Sequence, residues 1–299
     1  MENILILMST YNGEKNLETL LNSLYNQNDV IVSLLVRDDG STDRTVEILK
    51  SWRNKLDIKI YSGENLKPAK SFINLLSEAK SLNFKYYAFC DQDDFWLPNK
   101  LKTAVSKLKG NSKPSLYIGS AILVNDELKK IGENTVGDIF SFGAALFRNN
   151  AQGATMVFNQ ELLALVNKFF PRELYMHDSW VYQIALGTNA RIYSDNDPYI
   201  LYRQHTQNVV GVKINLLDKI QYRFLKLVNK DDKKNLQAQE LKEGYSNYLT
   251  KEDNEILDWY ISYKHNFRSK LKLLSTKTIY PKNISKKILL MFDILFNAI

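Results

Sequence analysis

The chain has 299 residues, 44% hydrophobic and 24% charged, with a net charge of +7, a composition that excludes intrinsic disorder and allows one large core or two modest ones. No apolar run approaches the roughly 20 residues that span a bilayer, since Asp293 interrupts the longest, residues 288–296. The single cysteine, Cys90, excludes an internal disulfide, and the start MENILILMSTYNGE lacks a basic, cleavable leader, so a cytoplasmic setting is expected.

Short apolar runs alternate with amphipathic stretches along the first half: 4–8 then 17–24, 30–36 then 45–52, 58–61 then 72–82, 86–90 then 101–108. Strand and helix take turns. The pattern predicts an α/β fold of the Rossmann-like kind, a mostly parallel central sheet flanked by helices, with ligands at the carboxyl ends of the strands. Polar clusters stand at those ends: Ser9-Thr10-Tyr11-Asn12-Gly13 after the first strand, Asp38-Asp39-Gly40-Ser41-Thr42-Asp43 after the second, Asp91-Gln92-Asp93-Asp94 after the fourth. Ser41 or Thr42 can cap the next helix, and Gly40 supplies the backbone a tight strand-to-helix turn needs.

Residues 114–210 predict strands at 116–124, 191–193 and 199–202 and helices near 161–169 and 179–186, a less regular half suited to facing a substrate. From about residue 211 the pattern is helical and rich in Lys and Asn. The expected organisation is therefore an α/β domain over 1–210 and an appended C-terminal helical segment over 211–299. That segment carries the whole charge excess, seventeen basic residues against ten acidic. Its last stretch, from Lys264, sets Lys and Arg beside apolar groups, which suits either an anionic membrane surface or a solvated basic helix face. No nucleic-acid motif accompanies the charge, so nucleic acid is not an expected partner.

Asp91 and Asp93 end a hydrophobic strand, and alternation would aim both carboxylates at one point if the chain stays extended. Two hard oxygen donors suit Mg²⁺ or Mn²⁺, which take one or two carboxylates and complete their shells with water and phosphate oxygens. A solvated loop or helix cap is the other reading of such a pair. Asp38 and Asp39 are good turn formers, yet a carboxylate at a strand end can also accept the ring N–H of uracil or thymine, with Thr10 offering a hydroxyl and Tyr11 a stacking face. Lys70, near a helix start, is a further phosphate contact or a solvated lysine.

The three motifs in this order resemble the inverting glycosyltransferase family 2 with the GT-A fold, over roughly residues 3–210. Asp91 to Trp96, in the form Asp-Gln-Asp-Asp-x-Trp, with His177-Asp178-Ser179-Trp180 and Arg203-Gln204-His205, resembles its bacterial rhamnosyltransferase branch. The resemblance implies roles. Thr10, Tyr11, Asn12, Glu14, Asp38 and Asp39 would line the nucleoside pocket. Asp91 would lie near the ribose or metal, Asp93 would ligate the metal, and His205 would complete its shell unless it is an ordinary surface or core histidine. Arg203 would meet the diphosphate. Asp178 would be the catalytic base, or only a helix cap. Gly153, Ala154, Thr155, His177 and Trp180 would form the acceptor side, with a strand bend the alternative for Gly153. His177 and Ser179 depart from the usual residues of the family and leave the acceptor pocket less defined than the base.

The expected activity is transfer of a sugar, L-rhamnose from dTDP-rhamnose or a hexose from a UDP-sugar, to a hydroxyl of a saccharide, lipid-linked if the basic segment meets the inner face of the membrane. Two other classes are distinguishable: a non-catalytic nucleotide-sugar or glycan-binding subunit, which would have no need of Asp93 and Asp178, and a nucleotidyltransferase, which would carry a glycine- and basic-rich loop after the first strand.

Overall fold

A computed structural model describes residues 1–204 and 232–298. The first half is the predicted alternation: β1 (Glu2–Thr10), α1 (Glu14–Tyr25), β2 (Val30–Asp38), α2 (Thr45–Ser51), β3 (Asp57–Ser62), α3 (Lys67–Ala79) and β4 (Tyr86–Cys90). These strands pair in parallel in the order β3-β2-β1-β4, with Thr10 opposite Asp38 and Met8 opposite Cys90. Three strand ends, and the loops that follow them, therefore lie side by side on one rim.

Beyond β4 the sheet turns mixed. β5 (Phe95–Trp96) and α4 (Lys100–Leu108) lead into β6 (Ser115–Val124), β7 (Lys130–Asn134), α5 (Phe142–Phe147), β8 (Val157–Asn159), α6 (Gln160–Val166), α7 (His177–Gly187) and β9 (Arg191–Arg203). The short β8 runs antiparallel to both β4 and β6, while β9 returns parallel to β6 and antiparallel to β5. So the parallel expectation describes the half that carries the three motifs, and the other half departs from it. Asn159 fixes the reversal at β8: its Oδ1 accepts from the Ser115 and Leu162 amides (2.8 and 3.1 Å), tying strand end to helix start.

The strand sequences alternate between two cores, as a period of two requires. Ile4, Ile6, Met8, Ala88 and Cys90 face α1, α2 and α4; Leu5, Leu7, Tyr87 and Phe89 face α3, α6 and α7. Four C-terminal helices follow among the described residues, α8 (Lys233–Tyr245), α9 (Lys251–Ser262), α10 (Phe267–Ser275) and α11 (Ile284–Leu295). They bury Leu241, Tyr245, Ile256, Tyr260, Leu273 and Ile294 in the same core as Phe89 and Trp180. The expected boundary at 210/211 lies outside the described residues.

Candidate active site

The first two loops are fastened to each other. Asn12, at φ +48°, donates its amide to Ser41 Oγ (2.9 Å) and accepts the Thr42 amide on Oδ1 (2.8 Å). The Gly13 amide donates to Thr45 Oγ1 (2.8 Å), the Glu14 amide to Asp43 Oδ2 (3.0 Å), and Glu14 Oε2 accepts from the Arg44 amide (3.0 Å). Asp38 accepts from the Gly40 and Ser41 amides (3.2 and 2.9 Å), from the Ser41 hydroxyl (2.5 Å) and from Thr10 Oγ1 (3.1 Å). Four donors on two buried oxygens hold the turn together, so the Asp38 and Thr10 side chains serve the loop, because a turn of six polar residues cannot leave its amides unpaired.

Asp39 differs from its neighbour. It is buried, pairs with the buried Arg37, and its amide donates to Thr10 O (2.8 Å). Arg37 in turn donates to Glu64 O (3.0 Å). Tyr11 is 47% exposed, and the Gln92 side chain grips its backbone, accepting from the Tyr11 amide (2.8 Å) and donating to its carbonyl (3.0 Å). The loop after β1 is thereby held to the acidic loop after β4, with the Tyr11 ring left facing solvent.

Residues 91–94 form a turn instead of staying extended, so the alternation argument for Asp91 and Asp93 does not apply. The carboxyls gather all the same. Burial lifts Asp91 to about 7, and the charges of Asp93 and then Asp178 add to the lift. Burial, followed by the charges of Asp91 and Asp93, holds Asp94 well above the usual carboxylate range, while its Oδ1 accepts the Arg203 amide (3.1 Å). The Arg203 guanidinium donates to Asp93 O (2.8 Å) and to the Asn125 and Asp126 carbonyls. Arg203 is thus buried as a clamp on the acidic turn. Lys100 lies buried beneath, its amine 3.4 Å from the centre of the Trp96 ring and pushed down to about 7 by burial. Lys70 is half-exposed at the start of α3, 3.8 Å from Glu173. His205 lies outside the described residues. Among the described residues no three of His, Cys, Asp or Glu are grouped to hold a metal, so protein ligation there would rest on the Asp91 and Asp93 carboxylates. Two hard oxygens fit Mg²⁺ or Mn²⁺ only with phosphate or water filling the shell.

Asp178 stands in the first turn of α7. Its Oδ2 accepts from the Gly153 amide (3.1 Å) and its Oδ1 from the Ser179 amide (2.5 Å), while burial raises the carboxyl to about 6. Gly153 is needed for close approach: a Cβ there would come 2.7 Å from His177 Nε2 and 3.4 Å from Asp178 Cβ. Ala154 and Thr155 complete the same buried turn, with Thr155 Oγ1 donating to Gln152 O (2.8 Å). His177 and Trp180 are corrected. His177 stacks on Phe72 at 4.0 Å and meets Phe89 edge-on at 4.9 Å, and burial pushes it down to about 3, so it is a neutral core residue. Trp180 is fully buried against Tyr245 at 5.7 Å. Packed against α3, α5 and α8, α7 leaves only Asp178 of this tetrad lining the cleft.

A cleft of about 1380 Å³ opens between residues 134–150 and the C-terminal helices, with Asp178, Gln152, Arg148, Lys234, Lys282 and Lys286 among its lining residues. Tyr202 adjoins Gln152, which bonds to its hydroxyl, and burial and the charges of Asp91 and Asp94 hold that hydroxyl's pKa up. The base candidate thus lines the cleft and lies within reach of the charge of Asp91. Gln237 of α8, which sequence reasoning missed, fixes the start of α7: its Oε1 accepts from the Tyr175 and Met176 amides (2.9 and 3.3 Å) and its Nε2 donates to Gln183 Oε1 (2.7 Å). Nothing in the sequence near Gln237 signals this, whereas Gln92 was signalled by its place between two aspartates.

A parallel half whose strand ends carry an acidic turn, joined to a mixed half that supplies one more buried carboxylate, is the plan of a GT-A glycosyltransferase. The crystal structure of TarS 1–349 from Staphylococcus aureus shares the fold, with a TM-score of 0.57 at 20% identity over 100% of this chain and 81% of that one. The model of Glycosyl transferase family 2 matches residues 5–169, and the chain belongs to that family. It is 31% identical to the dTDP-rhamnosyl transferase RfbG of Shigella flexneri over 74% of this chain and 78% of the relative. It is 30% identical to the UDP-Glc:alpha-D-GlcNAc-diphosphoundecaprenol beta-1,3-glucosyltransferase WfgD of Escherichia coli over 41% of this chain and 47% of the relative.

Proposed function

We propose that this glycosyltransferase is metal-dependent and inverting, and that it moves L-rhamnose from dTDP-rhamnose to a hydroxyl of a lipid-linked saccharide in cell-surface polysaccharide assembly, at the inner face of the membrane. The observation that carries the reading is that Asp178 lines the cleft and lies near enough to the acidic turn for its charge to act on Asp91. An acceptor hydroxyl is a poor nucleophile, and a carboxylate within reach can take its proton as attack proceeds. Asp178 suits that role because burial brings it to about 6, basic enough to accept a proton yet ionised at neutral pH. One such base is enough for a single displacement with inversion.

On the donor side, Asp39 would face the base of the nucleotide and the Tyr11 ring would stack on it, while Gln92 holds the Tyr11 backbone to the acidic turn. Asp91 and Asp93 would hold Mg²⁺ or Mn²⁺ together with the diphosphate oxygens, and the bound ion would stabilise the charge of the departing nucleoside diphosphate. The raised Asp91 supports this: carboxyls crowded together with one buried lysine nearby gain most from a divalent cation. The rhamnose donor rests on the likeness to the relative named a dTDP-rhamnosyl transferase, and the lipid-linked acceptor on the relative whose name carries a diphosphoundecaprenol acceptor. The second of these names favours an alternative, a UDP-hexose donor at the same site. A non-catalytic subunit is disfavoured by the intact Asp93 and Asp178.

Incubation of the protein with dTDP-rhamnose or UDP-glucose, Mn²⁺ and a lipid-linked saccharide should release nucleoside diphosphate with one donor only. Asp93→Ala and Asp178→Asn should abolish release while leaving the thermal transition cooperative. Unchanged release in both variants would overturn the mechanism.

A further inference from the structure

The outermost helices of the chain leave an apolar surface uncovered. On α11, Ile284, Ile288 and Leu295 recur at helical spacing and are 74, 60 and 48% exposed; on α10, which packs against it, Phe267 and Leu271 are 71 and 50% exposed. The opposite side of α11 is spent otherwise, with Leu290 and Ile294 buried in the core. Six of the exposed large hydrophobic residues of the described chain fall between 267 and 296, counting Phe296. A contiguous exposed apolar patch of this kind marks an interaction surface.

The charge around it selects the partner. Arg268, Lys270, Lys272, Lys277 and Lys287 lie about the stripe, and none of them forms an ion pair with a described residue. The sole acid from residue 264 onward is Asp293, which is buried on the core side. An apolar stripe flanked by uncompensated cations is the pattern of a helix lying in the interface of an anionic bilayer. A polar or acidic protein partner would leave Phe267, Ile284 and Ile288 unmatched. Among the described residues no helix is long and apolar enough to cross a membrane, which fits a helix that lies on one.

We infer that α10 and α11 form the surface by which the protein docks on an anionic lipid bilayer, with the stripe Phe267, Leu271, Ile284, Ile288 and Leu295 entering the headgroup boundary. The inference deepens the membrane part of the proposal above, and it has a geometrical consequence. Lys286, Leu289 and Leu290 of α11 also line the cleft that Asp178 lines. One helix therefore meets the bilayer on one side and walls the acceptor cleft on the other. A saccharide carried on a lipid enters that cleft from the membrane without leaving its anchor.

The test uses the full chain and sedimentation with vesicles of phosphatidylcholine alone or with about a third phosphatidylglycerol, at physiological salt. The wild type should pellet with the anionic vesicles and stay in solution with the neutral ones. The double variant Ile284→Asp/Ile288→Asp should lose at least about tenfold in partitioning, and Arg268→Glu/Lys287→Glu a similar factor, since each lysine or arginine near the surface is worth roughly fivefold. Phe267→Ser, on the other helix, guards against a folding defect at α11. Slow hydrolysis of the nucleotide sugar in solution should stay at the wild-type level in all three. Wild-type protein that remains in the supernatant, or variants that pellet as well as it does, would overturn the inference. So would a dimer in solution that falls to monomer in Ile284→Asp/Ile288→Asp, because a second copy would then be what covers the stripe. Binding to vesicles involves no donor, so pelleting that persists while Asp178→Asn keeps full turnover would remove the catalytic reading and leave the docking surface standing.

Discussion

Replacing Asp178 by Asn probes both chemistry and stability. Burial raises the carboxyl from 3.8 to about 6 against the opposing effect of the amides of Ser179 and Gly153. A carboxyl whose folded-state value lies above its unfolded value favours folding when protonated. That stability is full below about 4, is lost as pH rises through 6, and at pH 7 the ionised group costs about 3 kcal/mol at roughly 1.4 kcal/mol per pH unit. Asn removes the charge, though it offers one oxygen to two amides and so returns about 1–3 kcal/mol of that relief. Asp178→Asn should therefore be at least as stable as wild type at pH 7, and the difference should move by about 3 kcal/mol in favour of wild type between pH 7 and pH 4. Denaturant melts in chelator at the two pH values measure it. Transfer should fall by about a hundred- to ten-thousandfold in the variant, and wild-type turnover should be flat above pH 6 and fall about tenfold per unit below it. A variant that keeps a tenth of the activity, or wild-type turnover that is level down to pH 5, would refute the assignment of Asp178 as the base.

Gly153→Ala should cost about 1–3 kcal/mol and most of the turnover, because the new methyl group would stand 2.7 Å from a histidine ring pinned between Phe72 and Phe89; thermal melts and rates check it. Gln237→Ala leaves the amides of Tyr175 and Met176 without their acceptor and should lower stability by about 1–3 kcal/mol. It should reduce kcat with little change in donor KM, since it acts on the start of α7 and not on the nucleotide. Tyr11→Ala should raise donor KM by roughly tenfold or more, the loss expected for one base-stacking ring, and leave kcat within a few-fold; equal KM values would remove Tyr11 from the pocket.

The parallel half was legible because its strands are buried on both faces and so read as continuous apolar runs, residues 4–8 and 86–90, each broken by a polar loop. The mixed half was less so. β8 is three residues long and β9 carries Asp195, Asn196, Asp197 and Pro198 inside it, where the register with β6 shifts, so no period of two survives. Trp180 and His177 were misplaced for a related reason. Every turn of α7 is apolar, since it is wedged between α3 and α8, and a helix buried all round gives no sign of which residue faces a cleft.

The pair Asp38 and Asp39 shows where residue type stops being informative. Both are acids at the end of β2 and both are buried, so composition assigns them one role. Their surroundings separate them. Asp38 receives four hydrogen bonds from its own turn and from Thr10, a stabilisation that needs no ligand. Asp39 is matched by a guanidinium, and a buried ion pair costs desolvation that closely matched packing of apolar groups would avoid. Charge kept at such a place is better explained by something it must recognise than by the stability of the loop. Asp38→Asn should accordingly loosen the turn and lower the melting temperature, whereas Asp39→Asn should also abolish binding of the nucleotide in isothermal titration; nucleotide affinity that survives Asp39→Asn in a folded protein would return both residues to the turn.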